Sequence, residues 1–153
     1  MQLVTLSENE CRALLARGHG GHLACANGAQ PYVVPFTYAY DNDSLYAFTM
    51  PGKKVEWMRA NPAVCVVVEE RGPGRNWQSV IVDGRFEELP DHVGHKQSRE
   101  HAWELLSRHA NWWEPGGMKP GLLTPSDRSP NLFFRVKVES LSGRRAIDDA
   151  ATS

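Results

Sequence analysis

The sequence predicts a mainly β fold, an antiparallel β-barrel with flanking helices. Three observations carry that reading. Six short segments show strand-like alternation or β-branched composition, turn residues separate most of them, and only three stretches have helical spacing. The chain of 153 residues is one domain long and buries roughly 70% of its unfolded surface, so a core forms without cross-links.

The elements follow in order. Ser7 and Glu10 make a capping box, and Cys11, Leu14 and Leu15 continue at helical spacing, which predicts a helix over residues 7–17 stopped by Gly18. Residues 21–26 alternate as a strand, and Asn27-Gly28 is a hairpin signal. Tyr32, Val34, Phe36, Tyr38 and Tyr40 then alternate with Val33, Pro35, Thr37 and Ala39, an extended segment with an aromatic face. Asp41-Asn42-Asp43 turns the chain into a strand over residues 45–49. After Pro51-Gly52, the spacing of Lys54, Val55, Met58 and Arg59 predicts a short helix, ended by Asn61-Pro62. Residues 63–68 are a β-branched run suited to a strand covered on both faces. A glycine-rich loop over residues 71–75 leads to a long strand over residues 77–89, bent at Gly84. Residues 91–110 read as a helix with Val93, Ala102, Leu105 and Leu106 on one side. Residues 111–131 are rich in proline and glycine and hold Trp112 and Trp113. Phe134, Val136 and Val138 alternate with Arg135, Lys137 and Glu139 as a strand with one wet face. The expected organisation is a single domain over residues 1–145 and a loose C-terminal tail over residues 146–153, with no repeat and no linker.

Composition narrows the partners. Lys and Arg total 17 against 18 Asp and Glu, a net charge of −1 that offers no field for nucleic acid or an anionic membrane. Any anion is therefore held by a local cluster. Cys11, Cys25 and Cys65 are odd in number and widely spaced, which fits neither a disulfide framework nor a metal knuckle. The first residues lack a basic region followed by an apolar run, and the longest apolar run, residues 63–68, is far too short to cross a bilayer. The expectation is a cytoplasmic protein.

Several motifs are missing. No Gly-x-Gly-x-x-Gly opens a helix after a strand, and there is no Gly-x-Ser-x-Gly or His-Glu-x-x-His. Gly52-Lys53-Lys54 lacks a phosphate loop's upstream glycine, since Ala47 stands there. His92, His95, His101 and His109 could share a helix, but third and fourth metal ligands at fitting spacing are missing; they read as solvated histidines and no metal is expected.

Chemistry gathers between Tyr32 and Gly84. Lys53 and Lys54 fall in the first turn of a helix, where cations oppose the helix dipole. A bound phosphate reverses that sign, because free N–H groups, the dipole and two ammonium groups then face one anion. Thr49 supplies a hydroxyl upstream and Gly52 allows close backbone approach. Pro35 removes a ladder donor from its strand, which places that strand at an edge or against something other than a neighbouring strand. Ser79 lies on the opposite face from Val80 and Val82; turned inward it needs a hydrogen-bond partner, turned outward it meets water.

Five segments in sequence carry a family resemblance. These are Tyr32-Val33-Val34-Pro35-Phe36-Thr37-Tyr38-Ala39-Tyr40, Leu45-Tyr46-Ala47-Phe48-Thr49, Gly52-Lys53-Lys54, Asn61-Pro62-Ala63-Val64-Cys65, and Asn76-Trp77-Gln78-Ser79-Val80 with Gly84 and Phe86-Glu87-Glu88-Leu89. In this order they resemble the pyridoxamine 5'-phosphate oxidase-like flavoproteins, and within them the small nitroimidazole-resistance-type FMN proteins. The resemblance runs from the opening helix to Ser142-Gly143-Arg144. It implies a split β-barrel homodimer with two FMN molecules at the subunit interface. It assigns Pro35, Phe36, Thr37 and Tyr38 to the isoalloxazine and ribityl side, Phe48 and Thr49 to backbone or hydroxyl contacts, Lys53 and Lys54 to the phosphate, and Ser79 to a polar flavin contact. From location, Trp112 or Trp113 covers the ring from the partner subunit.

Two departures shape the functional expectation. Relatives in the nitroimidazole branch commonly carry histidine where this chain has Phe48, and Arg144 and Arg145 after Gly143 do not reproduce the substrate pocket of true pyridoxamine phosphate oxidases. The expected function is an FMN-dependent oxidoreductase passing electrons from a reduced nicotinamide to a small nitroaromatic or quinone-like acceptor. The alternatives are a flavin carrier or sensor without turnover, or the same barrel holding a deazaflavin or a haem, with His19 and His22 the nearest axial candidates.

Overall fold

The computed structural model describes residues 1–90, 93–108 and 132–149. The chain opens with β1 (Gln2–Thr5), α1 (Glu8–Arg17), β2 (Gly20–Asn27), β3 (Gln30–Thr37), β4 (Ala39–Asp41) and β5 (Ser44–Thr49). It continues through α2 (Lys53–Ala60), β6 (Ala63–Arg71), β7 (Trp77–Leu89), a 3-10 turn (Val93–His95), α3 (Lys96–Leu106) and β8 (Leu132–Ile147). All strand pairs are antiparallel, in the order β3-β2-β6-β7-β8-β5-β4, with β1 joining the far end of β8.

Local sequence explains most of these elements. The Ser7 hydroxyl accepts from the Glu10 amide and the Glu10 carboxylate accepts from the Ser7 amide, both at 3.1 Å. We expect Ser7→Ala to cost about 1 kcal/mol, seen as a lower urea midpoint at unchanged slope. The β2–β3 hairpin turns through Gly28 at φ +57 and Ala29. The β4–β5 hairpin turns through Asn42 and Asp43, both left-handed at φ 48 and 56, a pair of residue types that tolerate the primed turn a twisted hairpin requires.

The sheet curls until its two edges meet. β3 and β4 stand at opposite ends of the strand order, yet only Tyr38 separates Thr37 from Ala39. Two residue steps span at most about 7 Å, so the edges come together there. Among the described residues no ladder joins β3 to β4, which makes the barrel split. Tyr38 sits in the seam, fully buried, its hydroxyl donating to the Leu15 carbonyl at 2.9 Å and its amide to the His19 carbonyl at 3.0 Å. Burial pushes its phenol well above the usual tyrosine range, against a small opposing pull from Arg17. A group with a raised folded value stabilises below its unfolded value and loses that contribution as pH climbs through the folded one. Tyr38→Phe is therefore expected to lose about 1 kcal/mol at neutral pH and to lack part of the wild-type stability decline above roughly pH 10. Denaturant melts across that range check it.

Among the described residues two apolar clusters result. The larger fills the barrel beneath α1 and α2 and includes Leu14, Leu15, Leu23, Met58, Val66, Val82 and Phe134. The smaller lies under α3 and joins Tyr46, Phe48, Leu89, Leu105, Leu106 and Phe133.

Four expectations are corrected. The aromatic segment breaks at Tyr38 into β3 and β4 because barrel closure, not local pattern, interrupts it. β1 goes unpredicted, being four residues whose partner is the remote end of β8. The last strand runs to Ile147, with Ala146 buried between Leu3 and Trp77, so the loose tail cannot begin at residue 146. The third helix is shorter than predicted, running Lys96–Leu106 after the 3-10 turn.

Candidate functional site

β3 is an edge strand, which accommodates Pro35 without loss of an interior ladder bond. Its side chains divide by parity. Phe36 and Tyr38 point into the core, so any role they have toward a ligand falls to their backbone. Val33 and Pro35 point outward, and Thr37 is half-buried. Register carries this outer face across the sheet: Pro35 lies opposite His22, His22 opposite Val67, Val67 opposite Ile81, and Ile81 opposite Ser142. Val33 is 61% exposed and Ile81 45%, an unusual openness for β-branched side chains in a sheet.

β5 forms the other side of the split. All six of its residues are buried. β4 is short and pairs with β5 only as far as Tyr46, so Ala47, Phe48 and Thr49 are laddered to β8 alone. Phe48 packs its ring 5.1 Å from Phe133 within the smaller core. The Thr49 hydroxyl donates to the Met50 carbonyl at 3.2 Å.

Immediately beyond, α2 begins with its two lysines. Gly52 makes no side-chain cap, and nothing lies within 4 Å of where a β-carbon would stand on it. Lys54 is buried; Lys53 is exposed, with Nζ 4.6 Å from the ring centroids of both Tyr32 and Trp57. Beneath them the buried Cys25 thiol is pushed up by desolvation, while Lys54 and then Lys53 pull it down. Lys53 thus sits against the β2–β3 hairpin at Tyr32, and both lysines act electrostatically on Cys25 of β2.

Ser79 stands apart. It faces outward on β7, half-buried, between Glu69 of β6 and Arg144 of β8. β7 is three strand spacings from β3, about 14 Å along the sheet. Within one protomer Lys53 meets Tyr32 of β3, Lys54 follows it on α2, and Ser79 sits on the outer face of β7.

Other candidates resolve simply. His19 and His22 are exposed on the approach to and within β2. His101 Nε2 lies 2.8 Å from Asp41 Oδ2, and its ring meets Tyr46 edge-on at 5.4 Å, joining α3 to β4. Among the described residues no group of three or more His, Cys, Asp or Glu is placed to hold a metal, and no helix is long and apolar enough to cross a membrane. Trp112, Trp113, His92 and His109 lie outside the described residues. Sequence reasoning missed Trp57 and the role of Tyr32. The available signal was spacing: Trp57 follows Lys53 by four residues, one helical turn.

An antiparallel barrel, split beside a helix that opens on paired lysines, defines the pyridoxamine 5'-phosphate oxidase-like split-barrel class. A family model described as pyridoxamine 5'-phosphate oxidase matches residues 7–145, and the chain belongs to that family. A solved structure of an FAD-binding protein from Mesorhizobium loti is 54% identical, covering 96% of this chain and all of that one, with a TM-score of 0.81. An uncharacterised protein of Rhizobium meliloti strain 1021 is 45% identical over 141 residues, 92% of this chain and 93% of its own. The FAD-binding protein of Mycobacterium smegmatis shares the fold at 20% identity, with a TM-score of 0.64 over 92% of this chain and 95% of that one.

Proposed function

We propose that the protein binds a flavin nucleotide, FMN in the first instance, at the split of the barrel. The observation that carries this is the start of α2, where Lys53 and Lys54 stand in the first turn behind an uncapped Gly52 with open space around it. The donor set fits a phosphate: backbone N–H groups at the helix start, the positive end of the dipole and two ammonium groups suit one dianion. The 54% identical relative described as FAD-binding supports a flavin. FMN and FAD share the ribityl phosphate, so both satisfy these donors.

Bound flavin supplies electron acceptance and return through its ring system. The chain's own residues bind and orient. Lys53 and Lys54 hold the phosphate, the backbone of residues 35–38 and of Phe48 and Thr49 fixes the ring and ribityl chain, and Val33, Pro35 and Ile81 on the outer face exclude water from one side. The protein works as a homodimer. Ser79 stands on the outer face of β7, and a second copy packed against that face would bring it to the partner's flavin. That pairing also covers Val33 and Ile81. The proposed activity is electron transfer from reduced nicotinamide to a small nitroaromatic or quinone-like acceptor.

A second reading, flavin binding without turnover, has its own support. Phe48 is packed among Phe133 and the α3 leucines, so no proton donor stands at that position. Absorbance of the purified chain titrated with FMN, FAD and riboflavin tests the binding. No affinity for any phosphorylated flavin overturns it, and a Soret band indicates haem instead. Steady NADH or NADPH oxidation with a quinone favours the enzyme; bound flavin that never turns over favours the carrier. Sedimentation of the flavin-loaded protein as a monomer refutes the dimer.

A further inference from the structure

We propose that Tyr32 and Trp57 form an aromatic cradle that positions the Lys53 ammonium for a ligand's phosphate, and thereby set the preference for phosphorylated over unphosphorylated flavin. The inference rests on the flavin-nucleotide reading and deepens it.

Lys53 occupies the turn of α2 where a cation is least favoured by the helix dipole. An exposed lysine there would ordinarily extend into water and sample many rotamers. Instead its Nζ lies 4.6 Å from each of two ring centroids, inside the roughly 6 Å range of a cation–π contact. The rings support one another edge to face, with centroids 5.6 Å apart and planes inclined at 61°. Their origins differ: Tyr32 comes from edge strand β3 and Trp57 from α2 itself, one turn beyond the lysine. The cradle therefore ties the phosphate end of the site to the strand that carries Pro35. Ring faces occupy one side of the ammonium, and its three N–H donors leave the other side for an anion. Both lysines pull the Cys25 thiol down, so the anchored ammonium and that of Lys54 add to one positive field at this end of β2. A side chain already ordered before binding loses less entropy when the phosphate arrives. Tyr32 and Trp57 are positioning residues, acting through Lys53.

The test compares dissociation constants for FMN and riboflavin on the flavin-free full chain, read by flavin fluorescence. Tyr32→Leu and Trp57→Leu are expected to weaken FMN roughly fivefold each, the scale of one exposed cation–π contact, and to leave riboflavin unchanged. Tyr32→Phe and Trp57→Phe keep a ring and should retain most of the FMN affinity, which guards against variants that merely misfold. In a Lys53→Met background, Trp57→Leu should add nothing. Equal loss of FMN and riboflavin makes the rings simple packing and overturns the cradle. So does tighter FMN binding, which means the rings compete with the phosphate for Lys53, or an effect that persists without Lys53. If the wild type binds both flavins equally, the phosphate reading itself fails. If it prefers FMN and Lys53→Met abolishes that preference while the leucine variants do not, only the cradle fails.

Discussion

Replacing Lys54 with alanine is expected to weaken FMN by about 1.5–3 kcal/mol, roughly 10- to 150-fold in dissociation constant, with riboflavin affinity unchanged. The magnitude follows from the kind of bond lost. A charge-assisted contact to a phosphate is worth about twice a neutral hydrogen bond, and Lys54 is largely shielded from water, which strengthens it further. Lys53 is exposed and its charge partly screened, so the same substitution there should cost less. Salt dependence separates the two: raising ionic strength should erode the Lys53 contribution before that of Lys54. Titration of both variants with FMN, FAD and riboflavin reads all of this. A Lys54→Ala protein that keeps full discrimination between FMN and riboflavin would remove the phosphate from the start of α2.

What could be read in advance divides along a physical line. The capping box at Ser7, the turn at Asn42 and Asp43, and the bend at Gly84 are local, each set by the chemistry of a few neighbouring residues, and each stands in the structure as read. β1 and the far end of β8 are not local. Gln2–Thr5 is too short to show periodicity and is held by Arg144, Arg145, Ala146 and Ile147 from the other end of the chain. The break at Tyr38 is likewise invisible in an unbroken alternation, because closure of the sheet imposes it. At the site, the paired lysines at a helix start were legible from residue type and position. The cradle was not: that Tyr32 meets Lys53 depends on how α2 lies across the β2–β3 hairpin. The division of Phe36 and Tyr38 from Pro35 was implicit in the alternation. Only the structure fixes which parity faces the core.

Gly84→Ala is expected to destabilise the fold by about 3 kcal/mol, lowering the melting temperature by roughly 6–12 °C for a chain of this size. Gly84 sits where β7 and β8 slip register: Asp83 lies opposite Ser140 and Gly84 opposite Val138, which leaves Glu139 outside the pairing. A β-carbon there would stand 2.6 Å from the Lys137 carbonyl oxygen and 2.6 Å from a Val136 methyl. Neither neighbour can swing aside. The carbonyl belongs to the backbone of a central strand, and Val136 is fully buried and stiff about its first torsion. Relief requires moving β8 away from β7, and β8 also carries β5 and β1. Strain at this one position therefore spreads through half the barrel rather than relaxing locally. Gly52 is the internal control. Its backbone is extended at φ 172 and open space surrounds it, so alanine there should cost only the N-cap preference for glycine, about 0.5–1 kcal/mol. Thermal and denaturant melts of the flavin-free proteins compare the two, free of any ligand linkage. A Gly84→Ala protein as stable as Gly52→Ala would mean that the β7–β8 bulge absorbs a methyl group by a small shift. The close approach of the two strands at Gly84 would then place no constraint on barrel curvature.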